Sequence, residues 1–139
     1  MNAANNFAVD NAATRSGWSY GTFSAAGFTR DVYRKGTGPA VVVVHEIPGI
    51  TPAVMRFADE VVAAGFTVVM PLLVGDAGRA PDGKYIASST SKVCVSKEFT
   101  TMAMRKTSPI ISWLRALAKQ LHREIGGKGV GAVGMCSAA

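Results

Sequence analysis

The sequence predicts an α/β fold: a mostly parallel sheet with flanking helices and an antiparallel amino-terminal edge. Three observations carry this. The runs at 41–44, 66–70 and 130–135 are apolar with almost no polar alternation, the pattern of strands buried on both faces of a parallel sheet. The stretches that separate them carry apolar residues at three- and four-residue spacing, the pattern of helices with one buried face. Strands alternating with helices through short turns give right-handed parallel crossovers, with helices on both faces of the sheet.

Taken in chain order, residues 1–16 open without a basic start or a continuous apolar stretch and are expected to be a flexible segment. Residues 18–33 alternate loosely, with Gly21 and Gly27 as punctuation, and predict one or two antiparallel edge strands. Gly36-Thr-Gly-Pro39 makes a turn into the first central strand, Val41 to Val44. Thr51 followed by Pro52 is a helix start, an N-cap with proline at the first helical position. In the helix expected over 52–64, Val54, Phe57, Ala58, Val61 and Val62 form one stripe, and Gly65 ends it. The second buried strand covers 66–70 and Pro71 closes it. From 72 to 107 periodicity fails among Gly75, Gly78, Pro81, Gly83 and the Ser88-Ser-Thr-Ser91 cluster, so this stretch reads as a long loop. Ser108-Pro109 repeats the cap-and-proline start, and Ile110, Ile111, Trp113, Leu114, Leu117, Ala118 and Leu121 mark an amphipathic helix to Ile125, stopped by Gly126-Gly127. Residues 130–135 form the third buried strand. Residues 17–139 are thus expected to make one α/β domain, and an incomplete one.

Composition excludes several classes of function. With 139 residues, 48% hydrophobic and 17% charged, the chain is one domain's worth of ordinary globular sequence. No stretch is long and apolar enough for a membrane anchor, and a cytoplasmic location is expected by default. The net charge of +6 invites a nucleic-acid reading, but the fifteen Lys and Arg residues are scattered. The densest stretch, Lys92 to Lys106, is interrupted by Glu98 and lacks interleaved aromatics, so no nucleic-acid partner is expected. Cys94 and Cys136 are too far apart for a CxxC site, no Cys/His set completes a metal site, and nothing in their spacing motivates a disulfide. The only approach to a dinucleotide fingerprint, at 126–134, is broken and lies on the wrong side of a strand, so no cofactor is implied.

The chemistry concentrates at two strand ends. The first central strand runs into His45-Glu46-Ile47-Pro48-Gly49, and the third into Gly134-Met135-Cys136-Ser137-Ala138. In parallel sheets the carboxyl ends of the strands hold the reactive groups. The second segment matches most of G-x-C-x-G, the sharp strand-to-helix turn that projects a nucleophile above the sheet, with Ala138 in place of the second glycine. Alone, Cys136 reads equally well as a small buried hydrophobe. Glu46 could be a solvated carboxylate, but directly after four valines it is expected to be partly buried and to need a partner. His45 points opposite to it by strand alternation and reads as structural, while His122 lies on the solvated face of the long helix.

Together, Val41-Val-Val-Val-His45-Glu46-Ile47-Pro48-Gly49, the helix after Thr51-Pro52, the strand 66–70 with Pro71, and Gly134-Met135-Cys136 resemble the dienelactone hydrolase family of α/β-hydrolases, over residues 28–137. The resemblance implies a partial α/β-hydrolase fold and a cleavage of lactones or carboxylic esters. Cys136 would be the nucleophile of a Cys-Asp-His triad, and Glu46 would contact the thiol and help to activate it. By the same resemblance the backbone N–H groups of Ile47 and Ser137 would form the oxyanion hole. The partner implied is a small ester or lactone. Arg79, Lys84 and Arg105 of the long loop are candidate contacts for an anionic substrate by their charge alone, but each reads first as a solvated loop charge, since loops are exposed by default.

The family's Asp and His follow the cysteine, where this sequence has Ser137-Ala-Ala139. The expectation is therefore an amino-terminal portion ending just after the nucleophile, inactive alone, with an uncovered sheet edge that invites self-association. Two alternatives stay open at this point: a non-catalytic α/β module that binds a small carboxylate at the strand ends, and an inactive truncated fragment.

Overall fold

A computed structural model describes residues 17–46, 49–75, 77–78, 82–94 and 109–135. Its elements are β1 (Ser19–Ala25), β2 (Phe28–Lys35), β3 (Ala40–Val44), α1 (Pro52–Ala63), β4 (Thr67–Pro71), α2 (Gly83–Cys94), α3 (Pro109–Ile125) and β5 (Gly131–Gly134). The five strands form one sheet in the order β1-β2-β4-β3-β5. β3 pairs parallel with β4 and with β5, while β1 and β2 add an antiparallel edge. Residues 1–16, expected to be flexible, lie outside the described residues.

Local chemistry accounts for the edge hairpin. Its two-residue loop puts Ala26 at φ 50° and Gly27 at φ 83°, and positive φ at both positions is what a type I′ turn requires. The seven facing pairs run from Ser19 with Arg34 to Ala25 with Phe28.

Alternation along β3 then divides the core in two. Val41 and Val43 face α1 and pack with Val54, Ala58, Val68, Met70 and Trp18. Ala40 and Val42 face α3 and pack with Trp113, Leu117, Leu121, Val32 and Val69. A strand with both faces apolar needs a helix on each side, and α1 and α3 supply them. Trp113 is the centre of the second layer: fully buried, it donates its indole N–H to the Phe23 carbonyl at 3.2 Å and meets the Phe23 ring edge-on at 5.5 Å.

The turns that bring β3 and β4 together are packed backbone to backbone. Gly38, at φ 102°, approaches the turn after α1 so closely that an added Cβ would lie 2.2 Å from the Gly65 carbonyl oxygen. Thr67 closes the contact, its hydroxyl donating to the Gly38 carbonyl at 2.7 Å and its N–H to the Pro39 carbonyl at 2.9 Å.

Two expectations need correction. The stretch 72–107, read as an unbroken loop, contains α2, whose start is capped by Asp82 accepting from the Tyr85 N–H at 2.8 Å. The serine and threonine cluster dilutes its apolar periodicity, so the cap is the clearer signal. The run 130–135, read as a strand buried on both faces, is exposed throughout Gly131–Gly134, with Val133 at 36%. β5 is the edge strand beside β3, and neither of its faces is covered among the described residues.

Candidate functional site

The carboxyl ends of three adjacent parallel strands, β4, β3 and β5, define the site. β3 lies in the middle, so the segment that leaves it is held on both sides. Toward β5 the register is Val44 opposite Gly134, and the Met135 N–H continues the ladder to the Val44 carbonyl at 2.9 Å. Toward β4 the Leu73 N–H donates to His45 Nε2 at 2.9 Å. Further along, the Gly78 N–H donates to the Ile50 carbonyl at 2.6 Å. Thr51 then starts α1, its hydroxyl accepting from the Val54 N–H at 3.4 Å.

His45 is 7% exposed, and its two bonds assign its tautomer. A backbone N–H can only donate, so Nε2 carries the lone pair, and the proton of the neutral ring sits on Nδ1, which donates to the Glu46 carbonyl at 2.7 Å. Burial holds the imidazole below its ordinary value of 6.5; the Glu46 carbonyl and carboxylate act in the opposite direction and are outweighed.

The sign of the pH effect follows. A ring that binds its proton less readily when folded contributes stability that is complete above about pH 6.5 and is lost as pH falls through the lower folded value. Urea unfolding of the wild type is therefore expected to weaken from pH 7.5 to 5.5, with a slope due to this group no steeper than about 1.4 kcal/mol per pH unit. That portion of the slope should vanish in His45→Gln. An unchanged slope would contradict the assignment.

Of the residues singled out for chemistry, the structure describes Glu46, His45, Lys84 and His122. Glu46 is half-buried beside the buried His45, as alternation required. Among the described residues none forms a hydrogen bond or ion pair with its carboxylate. Cys136, Ser137, Ile47, Arg79 and Arg105 lie outside the described residues, as does the side chain of Cys94. Lys84 is exposed in the first turn of α2. His122 is exposed near the carboxyl end of α3, where its Nε2 lies 3.0 Å from the Gly127 carbonyl. That end of α3 feeds the start of β5, so His122 sits at the opposite edge of the sheet from Glu46.

The contributions of Leu73 and Gly78 were not foreseen, since main-chain donors leave no mark in sequence. The one available signal was His45 itself, a polar ring in an apolar run that had to find partners. Among the described residues no cluster of His, Cys, Asp or Glu could hold a metal, and no helix is long and apolar enough to cross a membrane.

Comparison with known proteins places this geometry. The model of the dienelactone hydrolase family matches residues 28–139. Among solved structures, the chain is similar to epoxide hydrolase VrEH1 from Vigna radiata, with a TM-score of 0.56 and 22% identity over 87% of this chain and 33% of that one. It is similar to a protein assigned as a dienelactone hydrolase from Klebsiella pneumoniae subsp. pneumoniae, with a TM-score of 0.56 and 21% identity over 84% of this chain and 49% of that one. A cold-adapted esterase from an Arctic intertidal metagenomic library is similar at a TM-score of 0.50 and 17% identity, over 84% of this chain and 49% of that one. At these identities the likeness is one of fold, the α/β-hydrolase fold. The chain spans about a third of the epoxide hydrolase and about half of the other two. No curated protein matches the chain.

Proposed function

The chain belongs to the dienelactone hydrolase family, and from that premise we propose that it acts in the hydrolysis of lactones or carboxylic esters, with Cys136 as nucleophile and Glu46 as its base. The observation that supports this most is the in-register pairing of β3 with β5, continued by the Met135 bond to Val44. Glu46 is two residues past Val44, and Cys136 is two residues past its partner Gly134. That match in register supports a reading in which the carboxylate and the thiol act at the same strand ends.

Each residue then has a chemical task. Glu46 accepts the thiol proton as sulfur attacks the carbonyl carbon, so that a thiol mostly protonated at neutral pH can react. The N–H groups of Ile47 and Ser137 take the charge that develops on the carbonyl oxygen, a role whose loss costs about 100- to 1,000-fold in rate at comparable sites. Collapse of the tetrahedral adduct breaks the ester C–O bond, the leaving oxygen takes up the proton, and the acyl group remains on sulfur.

Release of that acyl group to water needs a second base, which the family takes from a histidine after the cysteine. The two histidines of this chain are committed elsewhere, His45 to its bonds with Leu73 and Glu46, His122 to the far edge. With p-nitrophenyl acetate the 139-residue chain is therefore expected to release about one equivalent of p-nitrophenolate quickly and then slow down. The burst should be absent in Cys136→Ala and strongly slowed in Glu46→Gln. Linear release at the same rate in all three proteins would overturn the reading.

A further inference from the structure

His45 was expected to be structural, yet its ring ties two strand ends together. We propose that His45 is a pH-operated latch: while the ring is neutral, Nε2 holds the Leu73 N–H, and with it the chain leaving β4, against the chain leaving β3, and a proton on Nε2 releases the two from each other. The inference goes beyond the function proposed above and does not depend on which residue attacks a substrate, since it concerns the chain that borders the strand ends.

The two ring nitrogens are unequal, and that inequality makes the latch. Nδ1–H donates to the Glu46 carbonyl at 2.7 Å within the ring's own segment, and protonation leaves this bond in place. Nε2 accepts from the Leu73 N–H at 2.9 Å, between residues 28 apart in sequence. An imidazolium has no acceptor, so its Nε2–H would face the Leu73 N–H, donor against donor, in a ring that is 7% exposed. Both donors must then find water, which requires the two chains to part. Leu72 stays on the sheet through its N–H bond to the Asp31 carbonyl at 2.8 Å, so the movement starts at Leu73. Beyond it Gly75 and Gly78 stand at φ 75° and 77°, and glycine changes its backbone angles at little steric cost. The tie that follows Leu73 among the described residues is the Gly78 N–H on the Ile50 carbonyl at 2.6 Å.

The charged surroundings set the sign. Burial lowers the affinity of the ring for its second proton, and Glu46, the next residue, acts in the opposite direction and is outweighed. Residues 71–75 at the end of β4 and 131–135 on the β5 side carry no ionisable side chain. On α1, Arg56 and Glu60 are exposed and Asp59 is paired with Lys35 at 2.8 Å. Asp76 lies outside the described residues. The latch is therefore fully closed above about pH 6.5 and opens as pH falls through the lower folded value. Ligands of parallel sheets bind at the carboxyl ends of the strands, so the latch governs how far that crevice opens on its β4 side.

The test is amide hydrogen exchange of the 139-residue chain by NMR, expressed as protection factors so that the intrinsic pH dependence of exchange is divided out. Between pH 7.5 and 5.5 the protection of Leu73 and Gly78 should fall about threefold to tenfold, tenfold being the limit for a released ring that titrates near 6.5. Low urea should change these two amides little, because a local opening exposes little surface. It should lower the protection of the Thr67 N–H, bonded to the Pro39 carbonyl at the other end of β4, which reports global unfolding. His45→Gln offers Leu73 an acceptor that does not titrate, so the pH dependence of both amides should disappear. Leu73→Pro deletes the donor and should leave Gly78 weakly protected at both pH values, which keeps the test decisive if the glutamine variant does not fold.

The latch is overturned if Leu73 exchanges with the urea dependence of Thr67, since no local release then exists, or if the pH dependence persists in His45→Gln. It is equally overturned if Gly78 keeps its pH dependence in Leu73→Pro, or if acid lowers the protection of Leu73 and leaves that of Gly78 unchanged, which would reduce the event to one broken bond.

Discussion

Trp113→Ala should destabilise the protein by about 3–5 kcal/mol, the usual cost of deleting a fully buried large aromatic side chain. Trp113 is fully buried among Val32, Val42, Val69, Leu117 and Leu121, so truncation leaves a cavity beneath the middle of the sheet that strand backbones cannot collapse to fill. It also leaves the Phe23 carbonyl without the indole N–H and the Phe23 ring without its edge-on partner. A domain of this size has a total stability of about 5–15 kcal/mol, so the variant should be largely unfolded in mild urea. Trp113→Phe, which keeps the ring contact and loses the N–H, should fall in between. Urea midpoints followed by circular dichroism give the comparison, and a loss below about 1 kcal/mol for the alanine variant would contradict this account of the core.

Gly38→Ala is expected to cost about 2–5 kcal/mol, because two penalties add at that position. Its φ of 102° is one that L residues rarely adopt, and the new methyl would press on the Gly65 carbonyl at 2.2 Å, backbone against backbone. Gly27→Ala is the control. Its φ is 83°, but no atom lies within 4 Å of the added carbon, so it should lose only about 1 kcal/mol for its backbone conformation. If the two variants unfold at the same urea concentration, the close packing of the β2–β3 turn on the α1–β4 turn is not what holds these strands together.

How far the sequence could be read depended on how local the determining interaction was. Four valines at 41–44 require burial on both faces, and the structure divides them between α1 and α3 as alternation dictates. Thr51-Pro52 was legible as a helix start because a cap is a contact between near neighbours, and Pro109, whose ring suits a first helical turn, opens α3. α2 escaped because its apolar positions are sparse, and the single Asp82 cap was outweighed by surrounding glycines and serines. At the site, His45-Glu46 and Gly-Met-Cys136 were visible as two strand ends, but their pairing was not: that β5 lies beside β3, with Gly134 opposite Val44, is a long-range fact of topology. The ties from Leu73 and Gly78 are made by main-chain N–H donors, groups that every residue except proline possesses.

The central claim is that Cys136 accepts an acyl group. The most direct measurement is peptide mapping by mass spectrometry of the 139-residue chain, quenched in acid during the first turnover with p-nitrophenyl acetate. The account predicts one acetyl group, on the peptide that contains Cys136, absent from the Cys94 peptide, and strongly reduced in Glu46→Gln. Acetyl groups scattered over lysines, or found on Cys94 with Cys136 unmodified, would contradict it.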